Sequence, residues 1–306
     1  EVRSPILSTR YNQNESLVAP LHNWLTGAGV DIRTDVKVID ARFEFESGGQ
    51  RIVEIQSSAG RLAIAQQDRV YLTLGSMTDG AVIGAPDAPP PEAIGALPAW
   101  EFWERLSGIA PGFGRPQTFR PDRRYSEWQS FTLTSKEGEF SKHLASLRRD
   151  GSWPSALVAL AGSPWRLALL QIEQPHFRDQ PAGTEVIWGY ALRHDLPGRF
   201  CGVPMTKAKG PQILDEIAGF LRMDAETRTR VLGEATVIGC RLPLITSQFL
   251  PRARGDRPEV RPDGALNYAC MGQFVELPYD TVFTVEYSVR IAWEAVQLPA
   301  HQQADT

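Results

Sequence analysis

RVYLTLGS, residues 69–76, is apolar for nearly its whole length and then stops at Gly75-Ser76. A run without polar alternation reads as a strand buried on both faces, and the Gly-Ser pair directly after it as a tight turn. Working upstream, Gly48-Gly49 and Gly60 separate short alternating segments at 36–39, 41–45, 52–56 and 61–64, the pattern of a β-meander. Ahead of the meander lies a helix. Asn12 or Asn14 is placed to cap it, Glu15 suits its positive start, and Gly27 and Gly29 stop it. Its Leu17, Val18, Leu21, Trp24 and Leu25 recur at helical spacing, which predicts a single buried stripe.

Downstream, residues 81–98 are rich in proline, with Pro89-Pro90-Pro91 at the centre, and read as a rigid extended linker or crossing segment. A short Trp-rich helix follows (Trp100, Trp103, Leu106), then candidate strands near 130–135, 156–161, 165–172 and 185–192. An amphipathic helix near 210–221 and a polar one near 225–233 come next. The chain returns to a strand at LNYACM (266–271), turns at Gly272, and enters a helix expected from about Thr281 to Val296. Strands and helices without strict βαβ alternation predict a mixed α/β, α+β-type protein. Helix, meander, buried strand and Gly-Ser turn is also the order of a flavoprotein's nucleotide domain beyond its first phosphate loop.

Composition narrows the function. The 306 residues carry 32 Lys+Arg against 36 Asp+Glu, a net charge of −4 that argues against nucleic acid as the main partner, because phosphate binding needs a cationic face. No run of about 18 apolar residues is present to span a membrane. Three cysteines, Cys201, Cys240 and Cys270, form no CxxC pair, so core packing in a reducing compartment is expected rather than a disulfide framework. His22, His143, His194 and His301 have no metal-ligand spacing, and no metal is expected. There is no GxSxG nucleophile elbow and no GxGxxG dinucleotide loop. The opening Glu-Val-Arg has neither an initiator Met nor a signal sequence, which is expected of a chain that begins inside a longer protein.

Six stretches carry a resemblance: TRYNQNESLVAPL (9–21), TLGSMTDG (73–80), WEFWERLSGIAPGFGRP (100–116), EQPHFRDQP (173–181), PLITSQFLPRARGDRPEV (243–260) and MGQFVELPYDTVFTVEYSVRIAWEAV (271–296). Together, and in this order, they resemble the oleate hydratases, the myosin-cross-reactive antigen family. These FAD-binding enzymes add water across the cis double bond of unsaturated fatty acids to give hydroxy fatty acids. The resemblance implies part of a glutathione-reductase-like FAD-binding domain (1–98 and 246–298), an inserted fatty-acid domain (99–245) and a frayed tail (299–306). It also implies that the phosphate loop and the catalytic acid and base lie upstream, so that the chain alone is inactive. FAD and an unsaturated fatty acid are the expected ligands. A cytoplasmic location, a peripheral contact with the inner membrane face and a homodimer are compatible with the resemblance.

The resemblance also assigns residues. Gln13 falls in the catalytic cavity, where an amide orients water or substrate, although Asn12, Gln13 and Asn14 also read as a capping cluster. His176, between Pro175 and Phe177, falls in the pocket that grips the fatty-acid carboxylate. Family members share that grip with a Thr and an Asn in the preceding strand. Here those positions are Leu170 and Ile172, two apolar groups in place of polar anchors. Cofactor contacts are implied at Gly75, Ser76, Gly272, Asp280, Thr281, Val282, Phe283, Thr284 and Ser288. Their chemistry has two readings: a helix start and close-approach glycines beside a flavin, or plain turns and a structural helix capped by Asp280. GDRP (255–258) reads as a solvated basic loop, with Arg257 alternatively an anchor for a contact or a phosphate. Two other classes share these features: a non-catalytic lipid or flavin carrier, and a redox flavoenzyme of related topology.

Overall fold

The computed structural model describes residues 9–120, 122–136, 138–146, 156–278, 280 and 284–297. Along the chain come α1 (Ala19–Gly27), β1 (Val38–Glu46), β2 (Gly49–Ser57), β3 (Gly60–Ala63), β4 (Val70–Thr73), β5 (Val82–Ile83), α2 (Pro98–Ile109), β6 (Trp128–Lys136), α3 (Glu139–Ser146) and β7 (Ala156–Ala159). Then follow β8 (Leu167–Gln171), β9 (Thr184–Ala191), α4 (Gly210–Phe220), α5 (Ala225–Glu234), β10 (Thr236–Leu242), β11 (Tyr268–Met271) and α6 (Val285–Gln297). The protein is mixed α/β with several sheets. It divides into two compact units that cut across the expected segments. One contains Glu1–Arg33, Val82–Ala93 and Trp128–Arg241, the other Thr34–Ala81, Ile94–Glu127 and Leu242–Thr306. The N-terminal helix thus groups with the sheet of residues 128–241, and the Trp-rich helix with the meander.

In the second unit β1, β2 and β3 form the expected antiparallel meander, with the first two foreseen segments fused into β1. β4 pairs in parallel with β11, Val70 opposite Tyr268 through Thr73 opposite Met271. β4 is buried on one face only: Leu72 is inside, whereas Tyr71 and Thr73 are exposed, so the expectation of two buried faces fails. The core gathers aromatics from distant segments. Trp100 and Trp103 of α2 meet Phe274 at 4.9 and 5.6 Å between ring centres, and Phe113 stacks on Tyr268 at 5.5 Å. Such rings bury about 150–250 Å² each and dominate a core of this size. Arg257 is not solvated as expected. It is 2% exposed, its guanidinium donates to the Gln248 carbonyl at 2.7 Å and the Tyr287 hydroxyl at 3.3 Å, and it lies 5.5 Å from the Phe119 ring centre. The motif GDRP therefore encodes a buried cross-link, not a surface loop.

The first unit is built on a six-stranded sheet in the order β5-β10-β6-β9-β8-β7. Residues alternate across it. Phe131, Leu133, Leu167, Leu169 and Ile187 form one buried cluster with Ile213, Leu214 and Ile217 of α4 and Val231 of α5. The opposite face carries Thr132, Leu170, Trp188 and Tyr190, none of them fully buried. β5, α3 and β10 are additions to the expected elements. In β10, Gly239 and Arg241 break the apolar pattern, and Arg241 is buried because it donates to the carbonyls of Pro91 and Glu92 at 3.2 and 3.1 Å. Those bonds and the β5–β10 pairing tie the proline-rich crossing segment into this unit.

The first helix differs most from expectation. A π-helical turn, Asn14–Val18, precedes α1, because Pro20 has no N–H to give to Ser16 and its ring crowds that carbonyl. The Asn12 side chain accepts from the Glu15 N–H, as foreseen. No residue of α1 is buried: Leu21 is 58% and Trp24 69% exposed. Periodicity defines the apolar face but not whether this chain covers it. α6 repeats the lesson, with Tyr287, Ile291 and Ala295 inside and Val289, Trp293 and Val296 outside.

Candidate functional site

Strand register brings the sequence-predicted head-group residues together. Leu170 of β8 lies opposite Trp188 of β9, and Trp188 lies opposite Thr132 of β6, so the three form one row across the open face of the sheet. Ile172, just past the end of β8, Val186 of β9, and His176 and Phe177 of the following loop complete the walls of a cavity of about 210 Å³. That is below the usual 300–1,000 Å³ of a site enclosing a whole drug-sized ligand, and suits one end of a longer molecule.

The loop carrying His176 is held by side-chain amides. The Gln174 side chain donates to Val186 O at 2.8 Å and accepts from Val186 N at 3.2 Å, while Gln180 donates to Gln174 Oε1 and Thr184 O, both at 2.8 Å. Gln180 Oε1 also accepts from the His176 N–H at 2.8 Å. The rings of His176 and Phe177 meet edge to face, 4.9 Å apart. Burial pushes the His176 pKa below the usual imidazole value, and the carboxylate of Glu15 counters part of that. The neutral ring is therefore the favoured form at neutral pH.

Gln13 arrives from the far end of the chain. The Asn12 backbone N–H and Nδ2 both donate to the His176 carbonyl, at 2.9 and 3.2 Å, and the Arg178 N–H donates to Glu15 at 3.0 Å. Gln13 is thus anchored one residue away from the His176 loop, although it is exposed and does not line the cavity. Thr132, Val186 and Trp188 were missed in the sequence. The signal was present in FTLT (131–134), whose alternation puts Thr132 on the face opposite Phe131 and Leu133.

The expected cofactor residues gather elsewhere. β4 and β11 end side by side at Gly75-Ser76 and Gly272, the carboxyl edge of a parallel pair, where α/β folds place ligands. Both glycines have positive φ, +65° and +93°. The space each leaves is taken by the protein itself. A Cβ on Gly75 would lie 2.8 Å from Phe274 Cδ2 and 3.2 Å from Trp103, and one on Gly272 2.9 Å from Thr73 Cγ2. The ring that Gly75 admits is thus Phe274. Ser76 accepts from the Trp100 indole through its carbonyl at 2.7 Å, and its hydroxyl accepts from the Thr78 N–H. Asp280 pairs with Arg290 at 3.1 Å, Thr284 caps α6 by accepting from the Tyr287 N–H at 3.2 Å, and Ser288 is half-buried on the side away from the exposed Glu286. Thr281, Val282 and Phe283 lie outside the described residues. The described members of this set cap a helix or make room for protein side chains.

Among the described residues, no cluster of three or more His, Cys, Asp or Glu is arranged to hold a metal, and no helix is long and apolar enough to cross a membrane. All three cysteines are free, with Cys270 fully buried and the other two half-buried.

The sheets and the cleft define a mixed α/β protein with a small, almost wholly apolar cavity. The chain belongs to the MCRA family, which it matches over residues 2–297. It is similar to an oleate hydratase of Streptococcus pyogenes serotype M49 (strain NZ131), with 31% identity over 303 residues covering 94% of this chain and 51% of that protein. It is also similar to a linoleate hydratase of Lactiplantibacillus plantarum, with 29% identity over 309 residues covering 92% of this chain and 54% of that protein. The relatives are fatty-acid hydratases, and the chain spans about half the length of each.

Proposed function

We propose that this chain is the fatty-acid-binding half of a hydratase that acts on unsaturated fatty acids. The cavity formed by His176, Leu170, Ile172 and their neighbours carries this reading: residues the resemblance assigns to the head group lie in one apolar cleft, with Gln13 tethered beside the same loop. In the reaction a proton adds to one alkene carbon and the water oxygen bonds to the other, releasing its second proton to a base. No electrons are gained or lost. The acid and base belong, in this reading, to sequence outside the chain, while Gln13 orients water or the alkene. FAD is part of the proposal for a protein of the relatives' length. The hydration step above does not draw on it. Such a hydro-lyase is placed in the cytoplasm, taking its substrate from a membrane surface.

The test is a mass gain of one water on oleate or linoleate. The 306-residue chain alone, with added FAD, is expected to give no product and to purify without stoichiometric flavin. A chain extended to the relatives' length with the sequence encoded upstream of Glu1 is expected to give the hydroxy acid. Product from the short chain, or none from the long one, refutes the proposal.

A further inference from the structure

Of the side chains lining the cavity, two carry polar atoms: the His176 ring and the Thr132 hydroxyl. Neither the hydroxyl nor the ring nitrogens have a hydrogen-bond partner among the described residues, so both are available to a ligand. No charged side chain lines the cavity. The nearby cations are engaged elsewhere: Arg10 pairs with Glu173 at 2.7 Å, and the Arg178 guanidinium lies 5.2 Å from the Tyr11 ring centre. The charge acting on the His176 ring is the carboxylate of Glu15. A carboxylate entering here would lose water, gain no cation and meet a like charge. An uncharged carbonyl would lose far less water and find a hydroxyl donor on one wall and an imidazole on the other.

We propose that Thr132 is a head-group-binding residue, and that this cavity takes acyl chains ending in an uncharged carbonyl group, an ester or amide, in preference to a free carboxylate. The proposal rests on the reading that the cavity receives the head group of a fatty-acyl ligand. Thr132 supplies the donor that Leu170 and Ile172 lack, reaching the cavity from β6, the strand next to β9, rather than from β8. The apolar side chains of Leu170, Ile172 and Trp188 then pack against the ester alkyl or amide group.

Trp188 provides the readout. The 306-residue chain is titrated at pH 8 with 5-doxyl-stearic acid and with its methyl ester, whose nitroxides quench a nearby indole, and Trp188→Phe identifies the part of the quenching due to Trp188. The ester is expected to bind more tightly than the acid. Thr132→Val is expected to weaken the ester by about 2- to 12-fold, the loss of one neutral hydrogen bond. Thr132→Ser, which keeps the hydroxyl, is expected to retain the ester affinity. Tighter binding of the acid, or equal ester affinity in the wild type and Thr132→Val, overturns the proposal. Absence of Trp188-dependent quenching with either probe overturns the underlying reading of the cavity as a lipid site, a separate result from a reversed preference.

Discussion

Replacing Asn12 with Ala tests whether the segment carrying Gln13 is held against the His176 loop as the structure shows. Two interactions are lost. The Nδ2 bond to the His176 carbonyl, 3.2 Å long and part-buried, contributes about 0.5–1.5 kcal/mol. The side-chain cap on the Glu15 N–H, at 3.0 Å, contributes about 0.5–2 kcal/mol. Water replaces part of each at this half-buried site, so the combined local loss is set at about 1–2 kcal/mol. The backbone bond from Asn12 N–H to the same carbonyl remains, so the segment loosens without detaching. Local opening should rise by about 5- to 30-fold. Hydrogen exchange followed by mass spectrometry reads this directly, with faster exchange in peptides spanning 9–27 and 173–181 and unchanged exchange in the meander at 38–63. Unchanged protection in both peptides would refute the docking of the segment. A uniform rise across the chain would show a global loss of stability and equally refute a local tether.

Replacing Leu170 with Thr and Ile172 with Asn gives the cavity two neutral hydrogen-bonding groups worth about 0.5–1.5 kcal/mol each, and should raise the affinity for the acid by about 5- to 150-fold in the nitroxide titration. The acid-to-ester ratio should move toward the acid, because a carboxylate accepts hydrogen bonds more strongly than an ester carbonyl. An unmoved ratio would mean that these side chains do not face the head group. Gly75→Ala should destabilise the protein by about 2–4 kcal/mol in urea, since a side chain at φ +65° is strained and its Cβ would meet Phe274 at 2.8 Å. A loss under about 1 kcal/mol would show that the turn relaxes freely. The folded-state pKa of His176 lies below its ordinary value of about 6.5, so the unfolded chain binds the proton more readily. The resulting stability is fully present above that ordinary value and declines as pH falls through and below it. His176→Gln should flatten this part of the stability profile between pH 7.5 and 5. An identical slope in the wild type and the variant would refute the assignment.

How much of this was legible beforehand follows from the range of each interaction. The meander is written locally, since alternation and turn glycines specify β1, β2 and β3 within about 25 residues. The same holds for α2, α4 and α5, and for the strands of the large sheet other than β5 and β10. The four-residue β4 was also seen, but its exposure was misjudged, because an apolar run reports hydrophobicity and not the number of faces covered. The apolar stripe of α1 fails for the same reason. β10 was hidden because its Gly239 and buried Arg241 make sense only beside the carbonyls of Pro91 and Glu92, about 150 residues away.

The sequence by itself determined the family, and it singled out segment 173–181 and the residues Leu170, Ile172 and His176, because motifs and side-chain identities need no neighbours to be read. Only the tertiary structure decided which residues share that cavity. Thr132, Trp188 and Leu170 are adjacent because β6, β9 and β8 pair in one register, and a slip of a single residue would turn each to the opposite face. It also decided that Gly75 makes room for Phe274, and that Asn12 bonds to the carbonyl of His176. Those contacts join residues that lie far apart in the chain, and local sequence patterns carry no information about such pairs until the sheets and core have formed.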